Sequence, residues 1–398
     1  VDWQTTPKTA TFTAVSGEGY FCNTSGGAFT VNLPAGSAGA IVSVADYTRT
    51  FQTNNLTVSP NGTEKLGGVN ADAKLSTEGQ SVTFVYVDAT EGWINVQDST
   101  SAVQGRLVTP FIIATVSGAC NTLATSGDCK IATFTGPGTF CVTNEGTGSN
   151  QVVSHMVIAG GGGGGHDDGG GGGAGGFREN ESPVTPYTQS PLAGGTAVTI
   201  SSASAIPITV GAGGVGGVPT VTCNATQGSS SIFSTITSAG GGLGGRGAPT
   251  GGPGGSGGGG GEAVPGGTGN TPPVSPSQGN NGGTGGGANA SAGGGGAGAV
   301  GSNGISSPAG GGAGGAGVTT EINGSSVTRS GGGGGGGFNT PGAGGSGGGG
   351  SGGKYPSTQA TAGTVNTGGG GGGGSTNTGP RDGKSGGSGI VIIRYKFQ

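Results

Sequence analysis

Charge is scarce in this chain. Lys and Arg total 14, Asp and Glu total 18, and charged residues make up 8% of 398 positions, for a formal net charge of -4. That balance offers no electrostatic footprint for nucleic acid and no basic face for a membrane, so neither is expected as a partner. Long apolar runs are missing too: nothing approaches the roughly 18 residues of a membrane-crossing helix. The opening VDWQTTPKTATF lacks the layout of a signal peptide, and since the chain begins at Val1 without Met, export is not judged from this end. Helical spacing is absent, and Gly disfavours a helix by about 1 kcal/mol per position, so almost no α-helix is expected. The five cysteines (Cys22, Cys120, Cys129, Cys141, Cys223) are odd in number and form no C-x-x-C pair. They indicate neither a zinc site nor a closed disulfide framework, and read as reduced thiols, with a small Cys120–Cys129 loop left open.

Glycine is what the chain has instead, at 106 residues, and it comes in blocks. IAGGGGGGHDDGGGGGAGGF runs from Ile158 to Phe177, and SGGGGGGGFNTPGAGGSGGGGSGGKY from Ser330 to Tyr355. Before the blocks, residues 1–100 carry short alternating or apolar runs: TATFTAV, GYFC, AFTVNLP, AIVSVADY, NLTVSP, QSVTFVYVD and GWINVQ. They predict an all-β module, sandwich-like or a small barrel, with Phe29, Val31, Leu33, Val42, Val44, Phe84, Tyr86 and Ile94 in its core. Residues 101–107 read as a linker. Residues 108–158 form a second β segment (FIIATV, KIATFTG, TFCVTNE, QVVSHMVIA) that leads into a glycine-rich domain over 159–398, closed by a strand at 390–397. Within that domain TAVTI, IPITVGAGG, SSIFSTIT and VTTEINGSSVTRS read as strand excursions, the last with an Asn323-Gly324 hairpin turn.

The blocks do not follow the every-third-glycine rule of collagen. A flexible linker is the ordinary fate of such composition, because ordering Gly loses more backbone entropy than ordering any other residue. Runs of similar length with a terminal VIIRY strand point elsewhere, to packed extended three-fold helices of the polyglycine II type. Such helices have no internal hydrogen bonds and must bond to neighbours, and only Gly lets the backbones close up. Seven residues would span on the order of 20 Å. The interruptions, HDD, FNTP and KYPS among them, are then loops at the ends of rods, although some blocks remain readable as slack connections between strands.

MVIAGGGGGG, AGGF, ITVGAGGVGG, SSIFSTITSAGGG, GGGGGGGFNTPGAGG, ATAGTVNTGGGGGGG and GGSGIVIIRYK, in that order, resemble the glycine-rich domain of bacteriophage tail-fibre and other virion proteins, over about residues 130–398. The style is also similar to the distal adhesins of some long-tail-fibre phages. The resemblance implies a virion-attached fibre that presents loops to a host receptor, either a glycan or an outer-membrane protein. Other virion proteins would be contacted through the N-terminal module, and a homotrimer is expected by analogy. The chain is longer than those adhesins and its tips are not dominated by aromatic residues. A purely architectural virion fibre is the alternative. A cellular extracellular glycine-rich fibre or ice-binding protein is disfavoured by the lack of a regular Thr array.

Catalytic signals are weak, and no enzyme activity is expected. His155, within SHMVI, reads as a packed strand residue. His166, Asp167 and Asp168 include metal-ligand types, but three adjacent residues rarely complete a site, so no metal is expected. GPRDGKS around Gly383–Ser385 lacks the first glycine and the helix of a phosphate loop, so no nucleotide cofactor is expected. The candidates for ligand recognition are the bulky or polar residues stranded among glycines: His166, Asp167, Asp168, Phe177, Tyr187, Arg246, Phe338, Asn339, Lys354 and Tyr355. For Phe177, Phe338 and Tyr355 the equal alternative is that they cap and seal the rods.

Overall fold

The computed structural model describes residues 1–99, 111–219, 225–247, 249–376 and 381–398. The chain divides into two compact units, Val1–Leu107 and Val108–Gln398. The expected linker 101–107 and Cys223 lie outside the described residues.

In the first unit β1 (Asp2–Lys8), β2 (Phe12–Thr13), β3 (Glu18–Cys22), β4 (Phe29–Asn32), β5 (Ile41–Asp46) and β6 (Leu56–Ser59) fall alternately on two sheets. The odd strands pair in parallel with one another and so do the even ones, so each turn of the chain adds one strand to each sheet. β7 (Ala73–Leu75), β8 (Ser81–Asp88) and β9 (Gly92–Ser99) complete the sheets in antiparallel fashion. Alternation along the strands fills the space between the sheets with Phe29, Val31, Leu33, Val42, Val44 and Phe84, as expected, with Tyr86 packed at the margin. Ile94 is a correction: Trp93 faces inward in its place, fully buried, its indole N–H donating to Glu64 Oε2 at 3.1 Å.

The second unit opens with a sandwich. One sheet orders β10 (Ile112–Ser117), β13 (Gly138–Glu145), β17 (Ala205–Thr209), β18 (Ser231–Phe233) and β19 (Ile236–Ser238). The other orders β11 (Thr122–Ser126), β12 (Cys129–Phe134), β24 (Ile390–Lys396), β14 (Val152–Ile158) and β15 (Phe177–Asn180), with β16 (Val198–Thr199) also on β14. Phe134, Val153, Val157, Val391 and Ile393 meet Phe140, Ile208 and Phe233 between the sheets. On the far side of the second sheet Ile131, Met156, Ile158, Ile390 and Ile392 pack against Phe177, Val318 and Ile322. Covered on both faces, β14 and β24 read as near-continuous apolar runs, the pattern of a doubly buried strand. Small hairpins complete the unit, β20 (Ile305–Ser306) with β21 (Ala309–Gly310) and β22 (Val318–Thr320) with β23 (Val327–Arg329). The only helical element among the described residues is a 3-10 turn, Gly148–Gln151. Cys22, Cys120, Cys129 and Cys141 are free thiols.

Strands of this sandwich continue as glycine rods. β14 runs on into 159–165, 169–176 returns into β15, β19 leads into 239–245, and 383–389 feeds β24. In the rods successive N–H groups turn to different neighbours with a period of three. Gly160 and Gly163 donate to Ser229 and Thr226, Gly161 and Gly164 to Gly387 and Lys384, and Gly162 and Gly165 to Gly173 and Gly170, at 2.8–3.0 Å. The rod 169–176 donates to 368–374, 239–245 and 292–295, and accepts from 159–165, 256–259 and 333–336. Three donor neighbours and three acceptor neighbours make six, the hexagonal packing of polyglycine II. This bonding satisfies the backbone that an isolated three-fold helix leaves open. Glycine is obligatory because a Cβ added at interior positions would collide with the neighbouring backbone; at Gly172 it would stand 2.6 Å from the carbonyl carbon of Gly162.

At the flanks, where no further rod lies, side chains take over as acceptors. Val215 N donates to Thr226 Oγ1, Ser351 N to Thr361 Oγ1, Thr284 N to Asn303 Oδ1 and Gly269 N to Asn281 Oδ1, each at 2.8 Å.

Candidate recognition face

The lattice has two unlike ends. One is tied into the sandwich. At the other the rods reverse in short loops at 166–168, 246–247, 262–264, 287–289, 305–310, 338–341 and 354–359. Gly165–Gly170, Gly169–Gly374, Gly336–Gly169, Ser291–Gly336 and Gly337–Gly353 backbone bonds hold the last rungs beneath these loops together. His166, Asp167, Asp168, Arg246, Phe338, Asn339, Lys354 and Tyr355 all lie at this loop end.

Phe177 and Tyr187 do not. Phe177 is the first residue of β15, opposite Ile158, which turns its ring into the apolar cluster under the second sheet, where it is 1% exposed. Tyr187 packs on the same cluster with the Arg394 guanidinium 5.7 Å from its ring. Burial and the neighbouring Glu179 push its hydroxyl well above the usual tyrosine range. Phe177 is a core side chain and Tyr187 a half-buried one at its margin, both at the sandwich end of the rods. His155 is likewise packed, edge-on to Phe233 at 5.8 Å, and burial lowers it to about 4.

The His166–Asp168 loop is largely self-sealed. His166 is 1% exposed, with Nδ1 3.2 Å from Asp167 Oδ2 and Nε2 without a hydrogen-bond partner. Asp167, in the left-handed region at φ 48, is gripped by the Arg381 guanidinium through Nε and through Nη2 at 2.7 Å, and that pairing holds its carboxyl below the usual range. Asp168, at φ 53, is buried, and its N–H donates to Ser375 O at 3.1 Å. Burial, and next a hydrogen bond with Glu262, raise its carboxyl to about 7. Arg381 and Glu262, unremarkable in sequence, are therefore the partners of this loop. No group of three or more His, Cys, Asp and Glu side chains among the described residues is arranged to hold a metal ion.

The open part of the face is aromatic. Phe338 and Tyr355 lie parallel, centroids 4.7 Å apart and planes 9° apart, on neighbouring loops whose preceding residues, Gly337 and Lys354, pair in parallel. Phe338 is 40% exposed. Phe338 N donates to Asn289 O at 3.2 Å, Asn339 N to Ala309 O at 2.8 Å, and Lys354 N to Thr358 O at 2.8 Å. Arg246 pairs with Gly169. The cavity beside it, lined by Ala225, Leu243 and Pro249, measures about 70 Å³, well below the volume of a typical small-molecule site.

Fold and site together define an all-β, glycine-lattice domain with one decorated end. Residues 133–396 match the family of glycine-rich domains, and the chain belongs to that family. No curated protein matches the chain.

Proposed function

We propose that the chain is a virion fibre protein of a bacteriophage, built into the particle through its first unit and offering the loop end of the lattice to a receptor on the host surface. The observation that carries the reading is the polarity of the lattice: one end is anchored in a sandwich, and the other gathers the exposed aromatic and polar residues. Side chains on a rigid support lose little entropy on binding, which suits recognition. The half-buried ion pair of Asp167 with Arg381 and the enclosed His166 favour the second reading, an architectural fibre whose loops only seal the rods.

The test is attachment of the purified full chain to host cells, with 338–341 and 354–358 replaced by Gly-Ser segments. Recognition predicts lost attachment at unchanged melting temperature. Undiminished attachment, or attachment confined to other virion proteins, leaves the architectural fibre.

A further inference from the structure

We infer that the Phe338–Tyr355 stack is a platform for a pyranose ring, so that the receptor met by this face is a surface polysaccharide; the inference rests on the recognition reading above. Tyr355, half-buried, stacks on one face of the Phe338 ring, and Phe338 itself stays 40% exposed. The loops beneath are pinned by backbone bonds from Phe338, Asn339, Lys354 and Tyr355 to Asn289, Ala309, Thr358 and Gly337, so the ring is oriented before a ligand arrives. The face of an aromatic ring is electron-rich, and the axial C–H groups of a pyranose, weakly positive, complement it. Asn339, Thr340, Thr358 and Gln359 in the same loops are exposed, supplying amide and hydroxyl groups that both donate to and accept from sugar hydroxyls. One exposed ring beside amide and hydroxyl groups, with Lys354 in the neighbouring loop, is scaled to a saccharide.

The experiment applies the full chain to immobilised bacterial capsular polysaccharides and lipopolysaccharides, and in parallel to whole cells treated with periodate or with protease. Retention on at least one polysaccharide is expected. Phe338→Ala should weaken it about three- to tenfold, Tyr355→Ala less, and Tyr355→Phe, which keeps the ring, hardly at all, each without a change in melting temperature. Periodate should abolish cell binding and protease should spare it. No retention on any polysaccharide, or a Phe338→Ala variant that binds like the parent, overturns the inference. Cell binding lost to protease but not to periodate assigns the face to a protein receptor, overturning the saccharide while preserving recognition. Cell binding indifferent to both loop replacements defeats the recognition reading itself.

Discussion

Gly172→Ala is the sharpest probe of the lattice. Gly172 lies mid-rod, donating to Gly371 O and accepting from Gly333 N, both at 2.8 Å. A methyl group there would stand 2.6 Å from the Gly162 carbonyl carbon and 3.0 Å from that of Gly163. Carbon atoms in contact rest about 3.5–4.0 Å apart, so the rods 159–165 and 169–176 must part by about 1 Å. Gly161, Gly162 and Gly163 hold the first of these to three different partners at 2.8–3.0 Å, and a stretch of that size takes such bonds beyond useful length. Losing three or four of them at about 1 kcal/mol net each, less about 0.5–1 kcal/mol regained from the stiffer unfolded chain, leaves a net cost of about 2–3 kcal/mol. The melting temperature of the glycine-rich unit should fall by roughly 4–8 °C in calorimetry. The control is Gly136→Ala, where the nearest atom to an added Cβ is Ala119 O at 3.8 Å, and it should change little. An unchanged melting temperature for Gly172→Ala, or an equal drop for Gly136→Ala, would refute close backbone packing as the source of stability.

Two buried groups should give opposed pH signatures. His155 is depressed to about 4 by burial and then by Arg178, so its contribution is complete above about 6.5 and is lost as pH falls toward 4; His155→Phe should flatten melting curves in that window. The Asp168 carboxyl is raised to about 7, so its contribution is complete below about 3.9 and is lost as pH rises through 7; Asp168→Asn should gain stability relative to the parent at pH 8 but not at pH 4. Glu179 is 2% exposed and accepts from Ser190 N at 3.1 Å and from Thr320 Oγ1, joining β15 to the 181–195 segment and to β22. Glu179→Ala leaves both donors unpaired and should lower urea stability by about 2–4 kcal/mol; a midpoint within error of the parent would remove it as a latch. Deleting 390–396 removes the strand between β12 and β14, and should abolish cooperative melting of the second unit rather than merely lower its temperature.

Composition and periodicity made the all-β class legible, along with the rods and the strands that feed them, because Gly blocks and apolar alternation are local signals. Pairing is not local. Nothing in GYFC or AFTVNLP says that successive strands belong to different sheets, so the parallel winding of β1 to β6 was not readable. Ile94 was misplaced because register shifts in the β8–β9 ladder change the phase of β9 and bring Trp93 inward. β11 escaped notice because TLATS is largely exposed and has no apolar face; it forms through the turn at Gly127, at φ 59. At the site, an aromatic among glycines reads alike at either end of a rod, which is why Phe177 could not be told from Phe338. Chain direction was the overlooked signal: rods alternate, so the residue after the second rod returns to the sandwich. Asp167 and Asp168 were legible as candidates, whereas Arg381 lies 214 residues from Asp167 and is brought to it only by the lattice.

Thr226, Thr361, Asn303 and Asn281 carry a consequence for solubility. Polyglycine in this packing is a crystalline solid that grows sideways without limit, since every added strand creates a fresh row of donors. Here hydroxyl and amide oxygens occupy part of that row, so sideways growth meets side chains instead of open backbone donors, and the lattice keeps a fixed cross-section.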